Sequence, residues 1–404
     1  MIVSAPPQRI ALVDAIRGSA LIGLFLLHCR EHFDYAAINI PHQPEWLVAL
    51  NTITTDVLNF LFAGKAYAVF AMMFGFSFFL IINGAERRGM DFRGRFVWRM
   101  LVLGVIGYLT GLIFCGEILS MITIIGFPLV LLYRVPTRWL LVLAALFLLQ
   151  PQFWWQLAHT FGNPEYRPVN FNVGGYYREL YAVFEKGDAA STIQANLWTG
   201  VLARHSWALS NGRYLQMFGL FIVGLLIGRI RIFEQPDLAR KIAIRALIPS
   251  IAAFAALYFI REISPDWSVT KTQSGIIKRL LVSYINLAQM IVWASGFTLL
   301  YLWAPMEKIL RFFIPFGRMS LSFYILHNTL GVLIFYPFGL GLHLKWAEFY
   351  SFAAGFVSLA LQYPIAVWWL QRHHYGPFEW LWRSLTQLSF NTPFRRKTAL
   401  NAAS

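Results

Sequence analysis

Residues 66–83 read AYAVFAMMFGFSFFLIIN, eighteen positions without one charged side chain. An α-helix rises 1.5 Å per residue, so a run of this length covers most of the roughly 30 Å of hydrocarbon in a bilayer. A membrane β-strand would instead alternate apolar and polar residues over about ten positions. Here both alternate sets are apolar, which selects the helix. Comparable runs recur along the whole chain. Of its 404 residues 58% are hydrophobic and 13% charged, against about 25% charged in a soluble domain. A water-facing surface cannot be built from that. The expected fold is an all-α, polytopic integral membrane helix bundle, one transmembrane domain over residues 1–404.

Working outward from this run, about ten spans are expected, near 10–29, 54–83, 96–115, 117–133, 138–151, 214–229, 243–260, 276–303, 312–337 and 347–371. The fifth is the shortest, bracketed by Pro136 and Pro151 as stops. The second is too long for one straight crossing. Gly64-Lys65 in its interior predicts a break, with a short outer helix containing Asp56 before the span proper. Segment 152–213 is the sizeable polar stretch and is expected to form an outer cap, with an amphipathic helix around Tyr176 to Phe184. The first apolar segment lacks a small-residue cleavage site and is expected to stay as the first span. No inverted repeat is evident, which weighs against a transporter built that way.

The net charge of +15 does not imply a nucleic-acid partner, since the basic residues are scattered between apolar runs. They mark topology instead. Arg87, Arg88, Arg93, Arg95 and Arg99 crowd the second connection, Arg134 and Arg138 the fourth, Arg229, Arg231, Arg240, Lys241 and Arg245 the sixth, and Arg395, Arg396 and Lys397 the tail that follows residue 371. Positive residues favour the cytoplasmic side, so both termini are expected there. Cys29 and Cys115 exclude a disulfide scaffold and a four-cysteine zinc site, and leave open either one disulfide or two buried thiols.

Ionisable groups inside a membrane are costly, and each is therefore a candidate for function. The first span carries Asp14, Arg17 and His28, followed by Glu31 and His32. Asp14 and Arg17, three apart, can pair on one face. Arg17 and His28, eleven apart, return to nearly the same face about 16 Å apart along the axis. Spacing alone leaves two readings for each. Arg17 is an inner anchor reaching for lipid phosphate or a cation for an anionic cofactor, and His28 an interfacial histidine or a base. Asp56 and Glu117 fall near outer helix ends, where each is a helix cap or part of a site with His28. Lys65 is a residue that snorkels to outer headgroups or a further site candidate, and His327, near mid-span, a hydrogen-bond donor to a neighbouring helix or the same. His28 and His32 share a face but lack a clear third ligand, so no metal is expected.

Arg17, ten residues and then His28 resemble the motif that opens the acyltransferase family 3 membrane enzymes, and Gly317 to His327, with Arg318, Tyr324 and His327, resembles a late segment of the same enzymes. A closer resemblance, over most of the chain, is to the YeiB-like family of bacterial membrane proteins, known by the domain of unknown function 418. Its hallmarks stand here as Asp14 to Gly18, Phe62-Ala-Gly64-Lys65-Ala66-Tyr67 with Phe74-Gly75, Gly116-Glu117-Ile118-Leu119, Gly317 to Tyr324, and Tyr375-Gly376-Pro377-Phe378-Glu379-Trp380. Many members lack a histidine at the place of His28, and Glu117 stands where an aspartate is common. That group is placed with membrane acyltransferases, among them the lysosomal enzyme that acetylates heparan glucosamine. His42, then Trp46 and Asp56, resembles that enzyme's outer catalytic segment.

The resemblance implies a bacterial inner-membrane protein that moves an acyl group from cytosolic acyl-CoA or acetyl-CoA to an outer acceptor, a glycan, lipid headgroup or small metabolite. Arg17 beside Asp14, with Arg95 and Arg99, would hold the donor's phosphates, because guanidinium forks bind phosphate bidentately. His28 or His42 would be the base, with Asp56 or Glu117 fixing its tautomer. A membrane transporter or exporter using the same charges is the alternative, and a non-catalytic envelope protein on the same scaffold a third. The lipid bilayer is the obligatory partner, and a homodimer stays open.

Overall fold

The computed structural model describes residues 10–34, 43–163, 165–264, 270–342 and 346–396. His42 lies outside them. The elements in order are α1 (Ala11–Asp34), α2 (Glu45–Leu61), α3 (Ala66–Glu86), α4 (Arg93–Ile113), α5 (Leu119–Leu132), α6 (Thr137–Leu148), α7 (Pro151–Gly162), α8 (Val173–Lys186), α9 (Ala189–Ala195), α10 (Val201–Ser210), α11 (Arg213–Arg229), α12 (Pro236–Ile263), α13 (Lys271–Tyr301), α14 (Ala304–Leu310), α15 (Ile314–Arg318), α16 (Ser320–Phe335), α17 (Glu348–Arg372) and α18 (Pro377–Gln387). Among the described residues the chain is helical and has no named β-strand. It is an all-α polytopic membrane protein.

Each of the ten expected spans falls on helix. Six stretches are long and apolar enough to cross a membrane alone, and eight if each of two bent helix pairs counts as one. The other two are short, Leu119–Leu132 with 14 residues and Arg213–Arg229 with 17. The second expected span breaks over Phe62–Lys65, where Gly64 takes φ +79°, a conformation that residues with a Cβ avoid. The fifth span runs from Thr137 to Leu148 between Pro136 and Pro151, and Pro151 then opens α7 at 51° to α6, since a proline is tolerated in a first helical turn. The ninth span is bent by 80° between α15 and α16.

α1 is the axis of the bundle and is buried almost throughout. Its contacts are close because glycines remove side chains where backbones meet. A Cβ on Gly317 would stand 1.8 Å from the Asp14 carbonyl oxygen, and one on Gly18 would stand 1.9 Å from that of Phe313. α3 and α11 repeat the device, with Gly75 against the Phe221 carbonyl and Gly224 against that of Met72, each at 2.0 Å. Two of the sequence hallmarks, Asp14 to Gly18 and the segment from Gly317, are thus two halves of one contact.

The basic connections gather at one end of the bundle. Tyr133 donates to Glu86 Oε2 at 2.7 Å, Arg229 donates to the Tyr133 carbonyl and to Thr137 Oγ1, and the Trp382 indole donates to the Arg99 carbonyl at 2.9 Å. Asp14 packs on Gly317, and Glu379 of α18 caps the start of α16 nearby. Both ends of the described chain therefore lie at the basic end. The segment 152–213 packs at the other end, where α8 buries Leu180 and Phe184 with Phe114, Phe335 and Tyr336. The two cysteines are buried and are not joined by a disulfide.

Gly317→Ala should lower the unfolding midpoint in detergent, since forcing a methyl group into packed backbone costs about 1–3 kcal/mol. Gly296→Ala, where a Cβ meets nothing within 4 Å, should leave it unchanged within a few tenths of a kcal/mol. Equal melting of the two variants would show that the contact of α1 with α15 does not limit stability.

Candidate functional site

Where α1 reaches the capped end, His28 is buried between the rings of Phe114 and Tyr324, whose centroids lie 5.2 Å and 6.5 Å away. Its Nδ1 stands 3.2 Å from Asn328 Oδ1. This contact holds the ring through Nδ1 and leaves Nε2 on its far side. Asn328 lies one turn after Tyr324 on α16, the two side chains share a hydrogen bond, and the Tyr324 hydroxyl accepts the Ile118 N–H at 2.9 Å. This chain of contacts ties α1, α16 and the start of α5 around one imidazole.

His28 opens onto a cavity of about 1330 Å³ whose walls include Asp56 and Lys65, with Arg213, Tyr177 and Trp207. Asp56 sits exposed in the middle of α2 and caps nothing there. Lys65 is 5% exposed and donates to the Asn59 carbonyl at 2.8 Å, so it is turned inward and does not snorkel. Arg213, at the first position of α11, donates to the Tyr67 hydroxyl at 2.6 Å and to Gln216 Oε1 at 2.9 Å. Gln216 in turn donates to Ser283 Oγ at 3.1 Å.

Glu117 lies behind this wall, between the lining residues Gly116 and Ile118. It is fully buried and accepts from Arg204 Nη1 at 2.9 Å, while both carboxylate oxygens take the Ser120 N–H at 3.0 and 3.2 Å. The carboxylate thus caps α5 and clamps α10 of the outer segment to the bundle. Its charge is already matched, so it does not orient His28.

The remaining candidates lie elsewhere. Arg17 donates to Ser77 Oγ on α3 at 2.6 Å and stands 3.7 Å from Asp14 Oδ1; it faces the bundle and not the lipid. The cavity meets α1 at Leu24, Leu27 and His28, so seven residues of helix, about 10 Å, separate it from Arg17. Arg95 is exposed at the basic end, and Arg99 stacks on Trp382 at 3.4 Å. Arg318 ends α15, at the bend before α16. His327 Nε2 pairs with Gln362 Oε1 of α17 at 2.8 Å and stacks on Phe25. That is the neighbour-helix role that mid-span histidines often take. His42 falls outside the described residues.

Sequence reading passed over Arg204, Arg213 and Asn328. The first two stand in 201–213, a stretch with Trp207 and three charged or imidazole side chains between apolar residues, a signal of a helix packed on one side. Asn328 follows His327 directly, but nothing in the sequence pairs it with His28, 300 positions away. In the same outer segment His205 hydrogen-bonds the Tyr214 hydroxyl. Burial, with the Arg204 charge adding to it, lowers the pKa of His205 to about 4.

Two outcomes follow. Arg204→Met, which strands the Glu117 carboxylate, should cost about 3–5 kcal/mol, and adding Glu117→Gln should restore part of it; equal stability of single and double variants would exclude the pairing energy. An unfolded chain protonates His205 below about 6.5, whereas the folded one resists down to about 4. Stability should therefore fall as pH drops through that window and hold above it. Melting midpoints near pH 7.5 and 5.5 check this, and His205→Gln should flatten the difference.

The family model described as protein of unknown function (DUF418) matches residues 227–389. YxaH, an uncharacterized protein of Bacillus subtilis, is 25% identical, the alignment covering 97% of each chain. An uncharacterized 39.9 kDa protein in the amylase 3' region of Bacillus acidopullulyticus is 24% identical, with 94% of each chain covered. YeiB, an uncharacterized protein of Escherichia coli, is 24% identical over 94% of this chain and 96% of its own. No solved structure matches the chain. With the family model over its C-terminal part and relatives aligned along nearly its whole length, the chain is similar to the YeiB-like, DUF418 proteins, and its apolar helices make it a multi-pass membrane protein.

Proposed function

We propose that the protein is a membrane acyltransferase whose reaction takes place in the cavity at the capped end. The observation that carries the reading is His28, an imidazole in the wall of a 1330 Å³ cavity with Asn328 Oδ1 on its Nδ1. A hydrogen bond on one ring nitrogen fixes the orientation of the imidazole, as a general base requires, and in this reading Nδ1 is the donor. The acceptor hydroxyl or amine attacks the thioester carbonyl while His28 Nε2 takes its proton. The coenzyme A thiolate then leaves and receives that proton. Asn328 is a positioning residue in this scheme.

In this reading the basic end faces the cytoplasm, with both termini inside and the cap outside a bacterial inner membrane, which the distribution of Arg and Lys supports. The acyl-CoA donor then enters from the basic end. Arg17 and Arg95 would meet its phosphates there, and the roughly 10 Å of packed helix between Arg17 and the cavity must open for the thioester to reach His28. A second reading, a transporter, is favoured by the break at Phe62–Lys65 in the cavity wall, since broken helices are where transporters hold substrate.

One experiment separates them. Protein in lipid vesicles is given labelled acetyl-CoA, and label on lipid, glycan or protein is scored beside label carried across the bilayer. Transfer should occur without net transport. His28→Ala should reduce transfer about 10²–10⁴-fold with unchanged insertion, and Arg17→Gln should chiefly raise KM. Transfer that survives His28→Ala but not His42→Ala would move the base to the outer loop. Transport without transfer would overturn the enzyme.

A further inference from the structure

Lys65 and Arg213 bring positive charge to one cavity wall, and among the described residues neither is paired with a carboxylate. Lys65 donates to a backbone carbonyl, and Arg213 to a phenol and an amide. Both side chains line the same cavity, and Tyr67, which accepts from Arg213, is two residues from Lys65. Arg213 Nε is buried and has no acceptor. Asp56 lines the same cavity and is ion-paired to neither, while Arg261, at its rim, is already paired with Glu262 at 2.8 Å. Two unneutralised cations in a site of low dielectric attract an anion strongly.

The rest of the wall is apolar and reaches the bundle surface. Val57, Phe60 and Leu61 of α2 and Tyr258 of α12 line the cavity and are each more than 40% exposed. α12 is an outlying helix, most of its residues facing outward. α2 and α12 meet at the edge contact of Phe60 with Phe254, 6.1 Å between ring centroids. At the level of a spanning helix, outward means toward acyl chains, so this seam is a side door to the lipid.

The geometry points to a binding site for an anionic amphiphile, its phosphate or similar headgroup between Lys65 and Arg213 and its hydrocarbon chain leaving between α2 and α12. A lipid of this class would be the acceptor of the proposed acyl transfer. That last step rests on the enzyme reading, whereas the binding site does not.

The test uses the full-length protein in nanodiscs or detergent. Retention of phosphatidylglycerol and phosphatidylcholine is read by native mass spectrometry, and glycerol phosphate serves as the headgroup alone. Phosphatidylglycerol should be preferred over phosphatidylcholine by at least tenfold, and glycerol phosphate should bind far more weakly. Lys65→Gln and Arg213→Gln should each remove the preference, Lys65→Arg should keep it, and Arg138→Gln at the opposite end should not affect it. If the Gln variants do not fold, the wild-type ranking of the three ligands and the Lys65→Arg result still decide. Equal retention of both lipids, or a preference that survives both Gln substitutions, would overturn the site. Glycerol phosphate binding as tightly as the lipid would overturn the side door. Selective binding with no labelling of the lipid by acetyl-CoA supports the site and counts against the acceptor role alone.

Discussion

A helix that breaks inside hydrocarbon exposes N–H and C=O groups that no water can reach, and the protein must supply every partner. The irregular parts of this chain obey that constraint. At the break after α2 the freed carbonyls of Asn59 and Phe60 are taken by Lys65 Nζ and Gln289 Nε2. At the bend before α16 the Glu379 carboxylate accepts the N–H groups of Leu321 and Ser322, with the Ser322 hydroxyl on its other oxygen. Before α5 the donors of Ile118 and Ser120 go to Tyr324 and Glu117. The Leu112 carbonyl near the end of α4 is met by Asn196. Several of the polar side chains buried beside the cavity, Lys65 and Glu117 among them, thus have a backbone reason to be there.

The class of fold was legible because apolar length is a local property. Residues 66–83 announce a spanning helix whatever else the chain contains, and Gly64 announced its break because few other residues adopt a positive φ. The grouping of the basic connections was legible for the same reason, since charge at a helix end needs no partner to be read. The cap helix over 173–186 came from its own periodicity.

What remained hidden depends on residues distant in sequence. Glu117 read as a cap, which it is, but its guanidinium partner stands 87 positions on, in a segment whose apolar flanks are too short to suggest burial. The bend at Met319 was masked because 312–337 has the hydropathy of one continuous span. Only Glu379, some 57 positions later, makes the kink affordable to the backbone. The hallmark motifs were visible as strings before their meaning was. Gly18 and Gly317 are required by each other, Gly376 leaves room for the Glu379 carboxylate, and Tyr67 is the phenol that holds Arg213. The stripe from Arg17 to His28 is real as geometry, yet packing divides it, with Arg17 given to α3 and His28 to α16.

The cap on α16 has a consequence for how the molecule is made. Chains are built from the N-terminus, so α1 and α16 are in place before Glu379 exists. Until α18 arrives, the first turn of α16 lacks its acceptor, and Asn328, two turns further along, has no fixed register against His28. The His28 imidazole is thus synthesised early and set late, because the contact that holds it waits on a helix near the end of the chain.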